Sequence, residues 1–155
     1  MPGSKNARKA MIVISPFPAS AADELHRWLN SPREPNFSDG VPSDLETVTA
    51  MLAAKTAAGQ TFAATIDEKA IAFIGFAGGW FAGTVVAPEY RGRGLGTEFL
   101  RSVVSILRAQ GVGELAAYFF ADNKAIMKTF VNAGFEVSHA VGAWRFARLA
   151  IVGSL

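Results

Sequence analysis

The sequence of 155 residues contains no cysteine. Disulfides, thiolate metal ligands and a cysteine nucleophile are therefore excluded. The chain is also poor in histidine, because His26 and His139 are the only two, and they lie far apart in the sequence. Zinc sites are usually built from several cysteine or histidine ligands. We therefore predict that the protein binds no metal.

A large excess of charge is also lacking. The formal net charge is +2, which is too small to hold nucleic acid by general attraction. Lys5, Arg8 and Lys9 form a basic cluster near the start, which we interpret as a solvated tail. No repeat or low-complexity segment divides the chain. We predict a flexible basic tail over residues 1–10, a single domain over residues 11–155, and no nucleic-acid partner.

Targeting and membrane-spanning segments are not indicated either. The apolar run at residues 11–14 is stopped by Pro16 and is too short for a secretory signal. Residues 70–87 carry no charge and are long enough for a membrane helix. Four glycines interrupt them, however, and the Gly78-Gly79 pair suits a hairpin between two buried strands. We predict a cytoplasmic protein with no membrane partner.

The apolar periodicity predicts strands alternating with helices. Helix starts are expected near Ser20, at Ser43 as the first residue of a capping box, after the glycine-rich segment 91–96, and at Asp122. Strands are expected at residues 12–14, 61–66, 70–76, 80–87, 114–120, 135–141 and 143–149. Trp80 and Trp144 fall on these strands and are interpreted as core residues, with the lining of a pocket as the alternative interpretation. The order β-α-α-β-β-β-α-β-α-β-β implies a mixed α/β sheet flanked by helices.

The most informative segment is Val85 to Thr97, in which a strand, a glycine-rich turn and a helix start follow one another. The free amides and the positive dipole end of a helix's first turn favour a bound anion. Glycines at 92, 94 and 96 would let a phosphate approach the backbone, and two arginines would add charged donors. A flexible turn with exposed arginines is the alternative interpretation.

Other phosphate-binding loops match the sequence less well. A P-loop needs a lysine after its second glycine, and the segment from Gly78 to Thr84 has none. The dinucleotide pattern G-x-G-x-x-G would need a glycine at Thr97, and the surrounding order is not a βαβ repeat.

The segment Arg91-Gly92-Arg93-Gly94-Leu95-Gly96 resembles the R/Q-x-x-G-x-G/A motif of the GNAT superfamily of N-acetyltransferases. A second motif of that family, N-x(10)-G-F, is similar to Asn123 followed by Gly134-Phe135. The resemblance extends over residues 61–135. It implies a mixed, mostly antiparallel sheet of about seven strands flanked by about four helices.

The resemblance also implies acetyl-CoA as the cofactor. Backbone amides of residues 91–96 would hold its pyrophosphate, the strand end would pair with its pantetheine arm, and Asn123 would hydrogen-bond near the end of that arm. The predicted cofactor-binding residues are Val85, Val86, Ala87, Arg91, Gly92, Arg93, Gly94, Leu95, Gly96, Thr97 and Asn123. Members of the family pass the acetyl group directly to an amine. An amide N–H around Val86 is a candidate for stabilising the oxyanion that this transfer creates.

The chain departs from the family at the proton donor for the leaving thiol. Many members have a tyrosine seven residues after the motif asparagine, where this chain has Phe130. Tyr118 is a candidate replacement, and a packed strand aromatic is its alternative interpretation. Glu34 and Asp39, in the loop between the first two helices, and His139, on a late strand, are candidate acceptor-binding residues. The two carboxylates are otherwise read as solvated loop charges.

The leading functional hypothesis is an N-acetyltransferase that moves an acetyl group from acetyl-CoA to a primary amine of a small molecule or protein. A catalytically silent acyl-CoA-binding sensor or partner module is the main alternative. A nucleotide-binding domain that prefers ATP or NAD is a third. The sequence does not identify the acceptor, and it leaves a homodimer open.

Overall fold

The computed structural model describes residues 12–31 and 44–150. Across these two ranges, seven strands form one sheet and four α-helices pack on it. The strands are β1 Val13–Ser15, β2 Thr61–Ile66, β3 Lys69–Ala77, β4 Trp80–Val86, β5 Glu114–Phe120, β6 Glu136–Val137 and β7 Trp144–Ala150. The helices are α1 Ala22–Leu29, α2 Leu45–Ala57, α3 Leu95–Ala109 and α4 Lys124–Asn132. The predicted fold class and element order are confirmed.

The strands lie in the order β1-β2-β3-β4-β5-β7-β6. Neighbouring strands are antiparallel except β4 and β5, which are parallel. Strands β3 and β4 form the predicted hairpin, in which Gly78 and Gly79 adopt φ values of 57° and 86°. Positive φ at both turn residues is what a tight two-residue hairpin requires. Among the described helices, none has the length and apolar character needed to cross a membrane.

Each face of the sheet carries its own apolar core. On one face, here called the inner face, α3 and α4 cover Leu115, Ala117 and Phe119 of β5. On the opposite, outer face, α1 and α2 cover part of β2, β3 and the end of β4, with Trp28 and Leu52 fully buried there. Side chains alternate between faces along a strand, so every second residue of β5 and β7 points to the outer face.

Three helix starts differ from the predicted ones. Helix α2 is capped by Asp44, whose Oδ1 accepts from the Thr47 N–H at 2.7 Å, whereas the predicted cap Ser43 lies outside the described residues. Helix α4 is capped by Asn123 rather than Asp122. Helix α1 follows a 3-10 turn, Ala19–Ala21, and has no side-chain cap, so Ser20 does not cap it. Adjacent Ser, Asp and Asn residues are comparable caps, and the sequence alone does not choose between them.

The strand predicted over residues 135–141 is wrong in length, because β6 spans only Glu136–Val137. The Ser138 Oγ accepts from the Phe146 N–H at 3.0 Å, in the place where a main-chain carbonyl would continue the ladder. Side chains that bond to the backbone in this way compete with sheet pairing. His139 therefore lies on an exposed segment after β6 and not on a strand as predicted.

Candidate functional site

Strands β4 and β5 separate from each other along the sheet. Their pairing in the described structure is confined to Trp80 with Ala116, where the Ala116 N–H donates to the Gly79 carbonyl at 2.8 Å. Beyond this point the two parallel strands diverge toward their carboxyl ends, and α3 and α4 begin after those ends. A gap therefore opens in the middle of the sheet, next to two helix N-termini.

The backbone of Val86 faces this gap. The next residue, Ala87, donates its N–H to the Ile71 carbonyl on the β3 side at 2.8 Å. Bonding directions alternate along an antiparallel strand, so the N–H and C=O of Val86 point away from β3. The Arg91 Nε donates to this carbonyl at 2.9 Å, which agrees with that direction. The Val86 N–H is thus aimed into the gap, as an oxyanion donor would have to be.

The glycine-rich segment ends at the uncapped start of α3. Gly94 is the N-cap residue, with φ at 77° and no side-chain cap. First-turn amides of a helix have no partner within the helix, so those of Leu95, Gly96 and Thr97 can receive an anion. Gly92 also adopts a positive φ of 78°, and a Cβ at Gly92 or Gly94 would meet nothing within 4 Å. These two glycines serve backbone conformation, not the relief of crowding.

Gly96 has a different role from the other two glycines. It lies in the first turn of α3, and a Cβ there would be 3.6 Å from the Val86 Cγ2 and 3.8 Å from the Thr129 Oγ1. These are ordinary contact distances. Gly96 therefore marks the point where β4, α3 and α4 converge.

The guanidinium groups of the two loop arginines bond within the protein, and their contact with the cofactor stays a prediction. Arg91 donates to the Val86 carbonyl and to the Ser31 Oγ, at 2.9 and 3.0 Å, and so connects the end of α1 with the end of β4. Arg93 donates to the Glu89 carbonyl at 3.0 Å and lies 5.2 Å from the centre of the Tyr90 ring. Both side chains brace the loop, and its backbone amides are the candidate anion donors.

Glu89 strengthens this bracing. Its carboxylate accepts from Arg27 of α1 at 3.3 Å. Hydrogen bonding by the Glu89 backbone, and then by the Arg27 guanidinium, holds the pKa of this carboxyl below its usual range. The group therefore carries its charge at neutral pH and connects the 3-10 turn Pro88–Tyr90 to α1 through an exposed ion pair.

Asn123 lies at the end of β5, at the mouth of the gap. Its Oδ1 accepts from the Ile126 N–H at 3.1 Å, and this bond caps α4. The amide nitrogen of the same side chain can still donate to a ligand. Sequence reasoning placed Asn123 at the site but missed its role as the helix cap.

The arrangement fits acetyl-CoA. The uncapped first turn of α3 suits a diphosphate, the inward-facing amide of Val86 suits a carbonyl oxygen, and the gap passes between the two faces of the sheet. The model of the Acetyltransferase (GNAT) family matches residues 22–135, which is well over half of the chain. The chain belongs to the GNAT family. It is accordingly an acyl-CoA-dependent acetyltransferase whose cofactor is acetyl-CoA.

Solved structures with the same fold are distant in sequence. An acetyltransferase of the GNAT family from Bacillus anthracis is 13% identical, with 92% of this chain and 96% of that chain covered and a TM-score of 0.77. The ribosomal-protein-alanine N-acetyltransferase of Brucella melitensis is 16% identical, with 89% of this chain and 99% of that chain covered and a TM-score of 0.71. The PaiA N-acetyltransferase of Thermoplasma acidophilum, in complex with coenzyme A, is 17% identical, with 90% of this chain and 99% of that chain covered and a TM-score of 0.63. A search of curated protein sequences gives no match.

Phe130 of this GNAT lies in the inner core and not in the gap. It is 2% exposed. Its ring stacks on that of Phe119, with ring centres 5.8 Å apart, and packs edge-on against that of Phe135, with ring centres 4.9 Å apart. The position where many family members have tyrosine is therefore filled by a packing residue. The predicted replacement for that tyrosine, Tyr118, is 52% exposed on the outer face of β5.

Of the three predicted acceptor residues, His139 is the one that lies within the described structure. Glu34 and Asp39 lie outside the described residues. His139 is exposed after the end of β6. Within the described residues, no group of three or more histidine, aspartate or glutamate side chains is placed to hold a metal ion.

An aromatic surface lies beside the gap, where sequence reasoning preferred a core and kept a pocket as the alternative. Trp80 was interpreted as core but is 44% exposed, and Trp144 is half-buried beside it. With Tyr118, Val141 and Phe146 they line a cavity of about 400 Å³. The continuous apolar run of β5 was the available signal, since it predicts two apolar faces and helices must cover both to bury them.

Proposed function

We propose that this GNAT transfers the acetyl group of acetyl-CoA directly to a primary amine of a small molecule or a protein. The observation that carries the proposal is the gap between β4 and β5, with the Val86 N–H facing it and the uncapped turn of α3 at its mouth. Such a gap lets the thioester be reached from both faces of the sheet. The predicted cytoplasmic location, the homodimer and the absence of nucleic-acid and membrane partners stay predictions.

The chain's own residues would bind and orient the reactants. Amides at the start of α3 would hold the pyrophosphate, the free edge of β4 at Val86 would pair with the pantetheine arm, and Asn123 would donate from its amide nitrogen. In the transfer, the amine nitrogen bonds to the thioester carbon, the carbon–sulfur bond breaks, nitrogen loses a proton and sulfur gains one. The Val86 N–H would stabilise the negative charge on the carbonyl oxygen.

Thermal melting with acetyl-CoA tests the cofactor site. Ligand at 100 times its Kd adds about 2.7 kcal/mol of stability. A domain of this size gains about 2–4 °C per kcal/mol, so we expect a rise of about 5–10 °C. Gly94→Val should remove most of this rise, because the bulky side chain stands at the anion site in a left-handed conformation.

Gly111→Val is the matched control. Gly111 follows the other end of α3 with a φ of 86° and open space around it, so valine there meets similar backbone strain far from the loop. It should lower the melting temperature of the free protein but keep the ligand-induced rise. A rise that survives Gly94→Val and disappears in Gly111→Val would contradict the proposed site.

Release of free CoA with amines separates the enzyme from the silent module. A silent module would show the thermal shift and no thiol release above the rate without amine. An enzyme shows both, and its product carries one acetyl group, which mass spectrometry detects.

A further inference from the structure

The cavity on the outer face has walls that are almost entirely apolar. Its lining consists of two tryptophans, one tyrosine, one phenylalanine and one valine: Trp80, Trp144, Tyr118, Phe146 and Val141. Exposed fractions of 44% for Trp80, 52% for Tyr118 and 45% for Phe146 show that the walls are open to solvent. Large apolar side chains clustered on an exposed surface mark binding sites.

The aromatic rings that line the cavity pack against one another. Tyr118 lies edge-on to Trp144 at 5.2 Å and to Trp80 at 6.1 Å. The ring centre of Phe146 lies 6.5 Å from that of Trp80 and 6.2 Å from that of Tyr118. Ring centroids about 4.5–7 Å apart in edge-on geometry are a favoured arrangement of aromatic pairs, so the rings support one another around the cavity. A volume near 400 Å³ is at the small end of ligand pockets.

The position of this cavity relative to the gap is what gives it a function. Trp80 belongs to the pair that closes the gap, and Tyr118 lies two residues beyond its partner Ala116 on the same face of β5. The cavity therefore adjoins the gap on the outer face, whereas α3 and α4 pack on the inner face. A molecule in the cavity and acetyl-CoA at α3 would meet across the gap.

The chemistry of the walls limits what can bind. None of the five lining side chains is a carboxylate or carries a charge. Glu114, further along the same face of β5, forms an ion pair with Arg148 of β7. Among the described residues, the cavity thus offers no acidic group to a polycation. Apolar walls also disfavour the charged form of an amine, and so favour the neutral form that can attack.

We propose that the acceptor is a primary amine attached to an aromatic or similarly bulky apolar group, and that this group fills the cavity lined by Trp80, Tyr118, Val141, Trp144 and Phe146. The amine then points to the gap between β4 and β5. This inference rests on the proposed acetyl transfer and adds the class of acceptor to it.

A comparison of three amines tests the proposal with the wild-type protein. We expect kcat/KM for 2-phenylethylamine to exceed that for ethylamine by about 10- to 100-fold, because burial of a ring of this size contributes that much. Spermidine, a polycation, should be a poorer substrate than 2-phenylethylamine. Equal values for 2-phenylethylamine and ethylamine, or a preference for spermidine, would overturn the proposal.

Binding can be followed separately from turnover. The chain has three tryptophans, of which Trp80 and Trp144 line the cavity and Trp28 is fully buried elsewhere. Titration of the CoA-bound protein with 2-phenylethylamine should therefore change tryptophan fluorescence, and the Trp28→Phe variant should retain that change. Absence of any change up to millimolar amine, together with no acetylation of it, would also overturn the proposal.

Phe146→Ala removes one wall of the cavity and should lower kcat/KM for 2-phenylethylamine at least about tenfold. The matched control is Val13→Ala, which truncates an exposed apolar residue of β1, 59% exposed and on a strand at the far side of the sheet. Val13→Ala should keep kcat/KM for 2-phenylethylamine within about twofold of the wild-type value, since isolated surface substitutions have small effects. Equal losses in both variants would contradict the assignment.

The outcomes distinguish this inference from the proposed function. Loss of the acetyl-CoA melting shift in wild type would refute the proposed function. A normal shift with acetylation of alkyl amines and polycations, but no preference for the aromatic amine, would refute only the acceptor class. A wild-type dimer that Phe146→Ala dissociates, without any preference among amines, would instead assign this surface to a second copy of the chain.

Discussion

At the scale of single residues, Tyr118 is the candidate that most needs a direct test. Tyr118→Phe keeps the ring contacts with Trp80 and Trp144 and removes only the hydroxyl. If that hydroxyl protonates the leaving thiol, kcat should fall at least about tenfold, since proton transfer by a positioned side chain contributes roughly 10²–10⁴-fold. The acetyl-CoA melting shift should stay the same. An unchanged kcat would leave Tyr118 with the role of cavity wall alone.

Asp44 offers a test of helix capping and of its dependence on pH. Backbone and side-chain hydrogen bonds from Thr47 lower the pKa of this carboxyl. A lowered folded-state pKa means that the stabilisation is present above the unfolded value of about 3.9 and is lost as pH falls through the folded value. Asp44→Ala should therefore lower the melting temperature at pH 7 by about 2–4 °C, and the difference from wild type should shrink in acid.

Asp44→Asn is the control for that experiment. Asparagine caps a helix about as well as aspartate but does not titrate in this range. Its melting temperature at pH 7 should lie close to that of wild type. Between pH 5 and pH 3, its melting temperature should fall less than that of wild type. If the asparagine variant were as unstable as the alanine variant at pH 7, the bond to the Thr47 N–H would contribute nothing.

Residue identity predicted some of the site and not the rest. The glycine-rich segment was found because positive-φ glycines before a helix have a local signature, and Gly92 and Gly94 do adopt that conformation. The sequence did not show that Arg91 and Arg93 bond within the protein, since Val86, Ser31 and Glu89 reach them only after folding. These two arginines therefore stabilise the loop, and their contact with the cofactor stays a prediction.

At the scale of secondary structure elements, β4 can be tested through its backbone. The Ala87 N–H is bonded to the Ile71 carbonyl, whereas the Val86 N–H faces the gap. In amide hydrogen exchange followed by NMR, we expect Val86 to exchange quickly in the free protein and at least about tenfold more slowly with CoA bound. Ala87 should be slow in both states and serves as the internal control. Equal protection of the two amides without CoA would show that the gap is closed in solution.

Element order was predictable because apolar periodicity and stop signals are local. Both halves of the hairpin β3–β4 and the whole of β5 follow from continuous apolar runs bounded by turn residues. The gap itself was not predictable in this way. It forms because β4 and β5, which are distant in the sequence, pair at one residue and then diverge. An extra residue in β4, where Phe81 and Thr84 pair with Phe76 and Ile74, adds to this departure from a regular ladder.

At the scale of the whole molecule, the outer aromatic surface is the feature that sequence patterns misassigned. A continuous apolar run on a strand predicts burial on both faces, and this holds for β3, where Phe73 belongs to the outer core and Ile74 to the inner core. The same pattern on β5 leaves one face exposed in the described structure. How far helices extend over a sheet depends on topology, so a local pattern cannot distinguish a second core from a binding surface.

The two cores raise the question of whether the protein unfolds as one unit. Because β3 contributes to both cores, loss of either exposes side chains of the same strand, and we expect one cooperative transition. Midpoints from far-UV circular dichroism and from tryptophan fluorescence should agree within about 1 °C. In the Trp28→Phe variant, fluorescence reports on Trp80 and Trp144 alone. A fluorescence midpoint well below the dichroism midpoint in that variant would show that the strands around the cavity open first, and that the domain predicted over residues 11–155 consists of two units.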